Sequence, residues 1–215
     1  MRMSEYLEDE YKKRTSTISG MTNIHRLDVE ERHNHMFAIE KKYNGLRATI
    51  HKRGSDVKIF SDTGKDITIP FPRVVEQISK MVDSDFIIDC EIVPHKGNEP
   101  LGREVAVNYL NSVEVDKQID DKGIIFYAFD CAYYNKDISN LPWFKRKRIL
   151  HSMKFTEYIK EAGSIVVNNR DDAIKTINMF RNMPGSKGAL IKRHNGKYAV
   201  DKKSDDWFTS MEVKS

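Results

Sequence analysis

The chain has 215 residues, with 36 Lys+Arg against 32 Asp+Glu, a formal charge of +4, and 39% hydrophobic and 10% aromatic residues. This is long and apolar enough to bury one substantial core, which excludes a wholly disordered chain, and the mild basic excess is compatible with a polyanionic partner without requiring one. Two cysteines make no disulfide framework, no apolar run reaches the roughly 18–20 residues of a spanning helix, and the polar N-terminus lacks a signal-peptide core; the expectation is a cytoplasmic protein with no membrane partner.

Taken in chain order, residues 1–35 read as a polar lead-in, helical over Ser4 to Arg14, and residues 36–215 as one domain. The run Met36-Phe-Ala-Ile-Glu-Lys-Lys42 has strand character, and Tyr43-Asn44-Gly45 turns it into a second strand, Leu46 to His51, as a hairpin or a tight corner. Val57 to Phe60 is a further strand, and Pro72 at the first position predicts a helix over Arg73 to Val82. In Asp85 to Val93 the period of two sends Asp89 and Glu91 to one face and Phe86, Ile88 and Cys90 to the other. Gly123 to Cys131 is another apolar strand. A helix begins at Leu141-Pro142 and is expected to run to about Lys160, its Phe144-Lys-Arg-Lys-Arg148 stretch dense in cations. Asp171 is a candidate cap for a helix with Ile174, Ile177 and Phe180 on one side; strands at Gly188 to Lys192, Tyr198 to Val200 and Trp207 to Met211 complete an antiparallel-rich α+β pattern.

Two features carry chemistry. Glu40 and Lys42 share a strand face from which Lys41 points away, so Lys42 stands at a strand end before a glycine corner, with Arg47 beyond it. A lysine amine attacks phosphorus only when neutral, which requires surroundings that depress its protonation and cations that stabilise charge on the phosphate. The paired acids Asp89 and Glu91 inside an apolar strand call for partners or a cleft. His33 and His35 have a chelating spacing but lie in the polar lead-in.

The ordered segments Glu40-Lys-Lys-Tyr-Asn-Gly-Leu-Arg47, Asp89-Cys-Glu91, Phe126-Tyr-Ala-Phe-Asp130, Leu141-Pro142…Arg146…Leu150 and Lys187-Gly-Ala-Leu-Ile-Lys192 resemble the motif series of ATP-dependent DNA ligases of the small phage type, over roughly Met36 to Lys192. The resemblance implies a two-sheet, ATP-grasp-like nucleotidyltransferase (adenylation) fold with flanking helices. It also implies an enzyme that uses ATP and Mg²⁺ to form lysyl-AMP on Lys42 and then seals nicked double-stranded DNA. By the same likeness Glu40 lies beside the adenine, Arg47 contacts nucleotide and DNA phosphate, Glu91 lies near ribose or metal, Phe129 stacks on adenine and Lys192 meets the α-phosphate.

The sequence also departs from that series. Asn44 stands for an aspartate, Cys90 for a glycine, and Lys187 for a glutamate that helps organise metal. Beside Trp207, Thr209 and Met211 replace two lysines, for which Lys202, Lys203 or Lys187 are the candidate substitutes. The sequence ends at Ser215, so the expectation is that a protein partner supplies the OB-fold function of the family. Two other readings are open: a catalytically silent relative that binds nucleic acid or a protein, and an RNA ligase or GTP-using capping enzyme.

Overall fold

The computed structural model describes residues 22–23, 36–81, 84–112, 121–155, 157–199 and 206–210. Its strands are β1 (Thr22–Asn23), β2 (Phe37–Tyr43), β3 (Leu46–Arg53), β4 (Asp56–Ser61), β5 (Phe86–Lys96), β6 (Glu99–Pro100), β7 (Ile124–Tyr134), β8 (Ile159–Glu161), β9 (Ser164–Val167), β10 (Ser186–Arg193) and β11 (Trp207–Ser210). Among the described residues the helices are α1 (Pro72–Ser79), α2 (Arg103–Ser112), α3 (Trp143–Ser152) and α4 (Arg170–Arg181). The strands form two sheets, in the orders β1-β11-β10-β2-β9 and β4-β3-β5-β7-β8, with β6 added to β5.

Strand periodicity sorts the side chains into layers. In β2, Phe37 and Ile39 join Ile177 and Phe180 of α4 and Ala189 and Ile191 of β10 in an apolar layer on the outside of the first sheet. In β3 and β5, Leu46, Ala48, Ile50, Phe86, Ile88, Cys90 and Ile92 pack with Val74 and Ile78 of α1, Ala106 of α2 and Leu150 of α3 outside the second sheet. The alternate residues, Glu40 and Lys42 on β2, Arg47 on β3 and Asp89 and Glu91 on β5, are left for the space where the two sheets face each other. That layer is polar except for a small cluster of Phe129, Ala132, Ala162, Tyr198 and Trp207 with Tyr43 against it.

The Tyr43-Asn44-Gly45 turn is the corner between these sheets, because β2 and β3 belong to different ones. Glycine is required there: a Cβ on Gly45 would lie 2.2 Å from the Ile92 carbonyl oxygen.

Several expectations are corrected. The helix from Leu141 stops at Ser152, where Met153 caps it and Lys154 turns to φ 50°, and Ile159–Glu161 is a strand parallel to β7. Asn169, not Asp171, caps α4; its side chain accepts from the Asp172 N–H, and Asp171 sits in the first turn. Tyr198 is in irregular chain, its N–H bonded to the Ser139 carbonyl, and Val200 and Met211 lie outside the described residues. The α2 helix, β8 and β9 had no counterpart in the sequence pattern. Both cysteines are free and buried, as expected. The lead-in enters the described structure at Thr22–Asn23, which pair in parallel with Phe208 and Thr209; its expected helix and His33 and His35 lie outside the described residues. Among the described residues no helix is long and apolar enough to cross a membrane.

Candidate active site

The inner face of the first sheet is set by register. Antiparallel pairing matches Glu40 with Leu190 and Ala38 with Lys192, and Leu190 with Thr209 and Lys192 with Trp207. Two rows therefore cross the sheet, Ala38–Lys192–Trp207 and Glu40–Leu190–Thr209. A third row begins at Lys42, opposite a bulge in which β10 shifts register between Ser186 and Ala189. The Ser186 hydroxyl closes that bulge by donating to the Gly188 carbonyl and accepting from the Gly188 N–H, and Gly188 takes φ 122°. Lys187 is thus carried on the bulge facing the Lys42 end of β2.

Lys42 is half-buried, and its ammonium is held below the usual lysine range, first by burial and further by the charge of Lys187, against an opposing pull from Glu91. The Glu91 carboxyl is itself pushed up to about 7 by burial, although Arg47 and a hydrogen bond from the Gly45 N–H, 3.0 Å from Oε1, favour its charge. The corner glycine thus fixes the acid that faces the lysine.

Deeper between the sheets, Arg47 makes a two-point contact with Asp89, with Nε 2.9 Å from Oδ1 and Nη2 on Oδ2. The Tyr198 hydroxyl donates to the same Asp89 Oδ2 at 2.7 Å. The guanidinium lies over the Phe129 ring at 5.4 Å and over Trp207 at 5.9 Å. Lys192 is fully buried: its Nζ is 2.8 Å from Glu40 Oε2, donates to the Phe129 carbonyl at 3.2 Å, and sits 4.9 Å over the Phe129 ring and 4.3 Å from that of Trp207. Burial lowers its proton affinity, and Glu40 and Asp130 oppose that.

The structure brings Glu40, Arg47, Phe129 and Lys192 into one cluster and sets Lys42 with Glu91 at its mouth. Lys202 and Lys203 lie outside the described residues. Among the described residues Trp207 Nε1 and Asn44 Oδ1 are buried and make no hydrogen bond to protein groups.

Two contributors escaped the sequence reading, and a third, Arg146, was named only as a position in a motif. Tyr198 was assigned to a strand, and nothing local marks its hydroxyl as the partner of Asp89. Arg146 and Lys147 were read as members of a cation-rich stretch, yet they are buried with Trp143 and Leu150. The spacing 143, 146, 147, 150 is the helical stripe itself, so periodicity carried that signal.

Two facing sheets with helices on both outer surfaces and a lysine at the corner between them define a nucleotidyltransferase-type domain. Solved structures that share its fold include a mycobacterial DNA ligase D complexed with ATP and MES (TM-score 0.61, 19% identity, 81% of this chain and 54% of that one), a Lig E DNA ligase (0.65, 13%, 90% and 68%), and the ATP-dependent DNA ligase of bacteriophage T7 in complex with ATP (0.59, 12%, 88% and 67%). The profile of the ATP dependent DNA ligase domain matches residues 18–209, and the chain belongs to that family. Among curated relatives, the DNA ligase of Saccharolobus shibatae is 34% identical over 160 residues, 72% of this chain and 26% of that protein. The DNA ligase of Archaeoglobus fulgidus is 28% identical over 172 residues, 79% and 31%. The chain thus spans between about a quarter and a third of the length of these relatives.

Proposed function

We propose that the chain is the nucleotidyl-transferring part of a DNA ligase, in which Lys42 takes AMP from ATP and passes it to the 5′-phosphate at a nick in double-stranded DNA. The observation that supports this most is the setting of Lys42: a half-buried primary amine on the inner face at the corner between two sheets, next to a partly neutral Glu91 and a second lysine, Lys187. Such an amine is available as a free base closer to neutral pH than a solvated lysine, as nucleophilic attack demands.

In the first step the Lys42 Nζ lone pair forms a bond to the α-phosphorus. The bond from that phosphorus to its bridging oxygen breaks, pyrophosphate leaves with the electron pair, and a proton is released from nitrogen. In the second, an oxygen of the DNA 5′-phosphate attacks the same phosphorus, the N–P bond breaks and the amine recovers a proton. Attack by the neighbouring 3′-hydroxyl then seals the strand and expels AMP. Among the described residues, Arg47, Lys192 and Lys187 are the cations placed to answer the developing charge.

The family's Mg²⁺ finds a poor seat on these residues. Among the described residues no three His, Cys, Asp or Glu side chains converge. Glu91, the acid expected at the metal, is engaged by the Gly45 N–H, and Lys187 stands where the family has a metal-organising glutamate. Among the described residues Glu91 is the one carboxylate acting on Lys42 that a Mg²⁺ arriving on the triphosphate could meet.

The test is incubation with ATP labelled at the α-phosphate, with and without divalent metal. Covalent label on the wild type and none on Lys42→Ala is the expected result. Label from GTP alone would replace the reading with a capping-type activity, and no label under any metal or pH would refute it.

A further inference from the structure

Lys147, on α3, extends between the sheets with a side chain only 9% exposed. Its Nζ lies 3.2 Å from Glu40 Oε1 and 3.5 Å from Glu161 Oε1 and donates to the Ala162 carbonyl. Glu40 is therefore held from both sides, Lys147 on one oxygen and Lys192 on the other, and all three groups are buried.

Two ammonium groups on one carboxylate are more than neutrality of that pair requires. A buried carboxylate that loses its sole counter-ion is strongly disfavoured, so a lysine that is the only partner of a buried acid cannot be given up to a ligand. With a second cation already in place, the first is releasable. Of the two, Lys147 has two further anchors, Glu161 and the Ala162 carbonyl, whereas Lys192 has one, the Phe129 carbonyl at 3.2 Å, and lies against the rings of Phe129 and Trp207 on the face shared with Lys42.

We propose that Lys147 is a positioning residue of the nucleotide site: by keeping hold of Glu40 it allows Lys192 to leave that carboxylate and turn to an incoming phosphate. The inference rests on the nucleotidyltransfer reading and adds a residue to it. Lys147 itself touches no reacting atom. Its side chain acts by deciding how tightly Lys192 is bound before the nucleotide arrives.

The test is a double-mutant cycle read in the rate of covalent label from ATP at saturating nucleotide, on the full chain. Lys147→Met leaves Lys192 as the sole partner of Glu40 and is expected to slow labelling about tenfold or more, and Lys147→Arg, which keeps the charge, to restore most of it. In a Glu40→Gln background, where no carboxylate holds Lys192, the same Lys147→Met change is expected to alter the rate less than about twofold. A purely structural role would cost the same factor in both backgrounds, which would overturn the proposal, as would a Lys147→Met protein that labels like the wild type.

If Lys147→Met does not fold, Glu161→Gln decides the matter. Glu161 competes with Glu40 for Lys147 and is a quarter exposed, so Glu161→Gln leaves Lys147 to Glu40 and the Ala162 carbonyl and is expected to speed labelling; an unchanged or slower rate overturns the proposal. A wild type that takes no label sinks this inference together with the reading beneath it. Label on the wild type with no effect at Lys147 sinks this inference alone.

Discussion

Glu91 is placed under opposing demands. Burial between the sheets disfavours its charge more than Arg47 and the Gly45 N–H favour it, and the carboxyl is pushed up to about 7. Its unfolded value is near 4.5. Between these values the folded chain binds the proton and the unfolded chain does not, so this group stabilises the fold at low pH and that stabilisation is lost as pH rises through about 4.5 to 7. The difference corresponds to about 3 kcal/mol. Glu91→Gln, which cannot ionise, is expected to lose less stability than the wild type between pH 5 and pH 8 in urea denaturation with chelator present. A wild type that gains stability over that interval relative to the variant would contradict the assignment. The sequence told that Asp89 and Glu91 share a face, because that follows from a period of two. It did not tell that they differ, Asp89 being held by Arg47 and Tyr198 and Glu91 by a backbone N–H, since those partners come from strands and loops distant along the chain.

At the scale of elements, local rules succeeded where the local pattern is also the tertiary one. β2, β3, β5, β7 and β10 were legible as apolar runs, and Pro72 marked the start of α1. They failed where long-range pairing decides: β8 is three residues long and exists because it pairs with β7, and β9 because it pairs with β2. The turn at Tyr43 to Gly45 shows both sides. Its sequence fits a hairpin or a corner, and only the assignment of β2 and β3 to different sheets selects the corner. Because that corner presses its backbone on the Ile92 carbonyl, Gly45→Ala is expected to cost at least about 2–3 kcal/mol in denaturant unfolding, through overpacking that the strand beneath cannot relieve. The cap of α4 gives a smaller, independent number: Asn169→Ala removes the acceptor for the Asp172 N–H and is expected to cost about 1 kcal/mol. Equal stability of the Gly45→Ala protein and the wild type would mean that the corner is not seated on β5 as described.

At the scale of the molecule the fold is four layers, helix, sheet, sheet and helices, with apolar packing in the outer two interfaces and charge in the middle one. A charged middle layer is an expensive place to build unless each group is paired, and the described structure pairs Arg47 with Asp89, Lys192 and Lys147 with Glu40, and Arg146 with Asp130. The last pair does the most to join the parts. Fully buried, Arg146 reaches Asp130 on β7 through Nε and Nη2 at 2.8 and 3.0 Å, and through Nη1 also donates to the carbonyls of Leu141 and Gly196. It so ties α3 to the second sheet and to the segment that follows β10. Arg146→Met would leave a buried carboxylate and two carbonyls without this donor, and is expected to lower unfolding stability by about 3–5 kcal/mol. Lys58→Ala, which breaks the exposed pair with Asp66, is expected to lower it by less than about 1 kcal/mol. Adding Asp130→Asn to Arg146→Met should recover part of the loss, because the uncompensated charge goes with it. Urea titration of the four proteins distinguishes this from a packing effect: if the second substitution deepens the loss, the destabilisation comes from the volume Arg146 fills, and the charge pairing of the middle layer is not what holds α3 against the sheets.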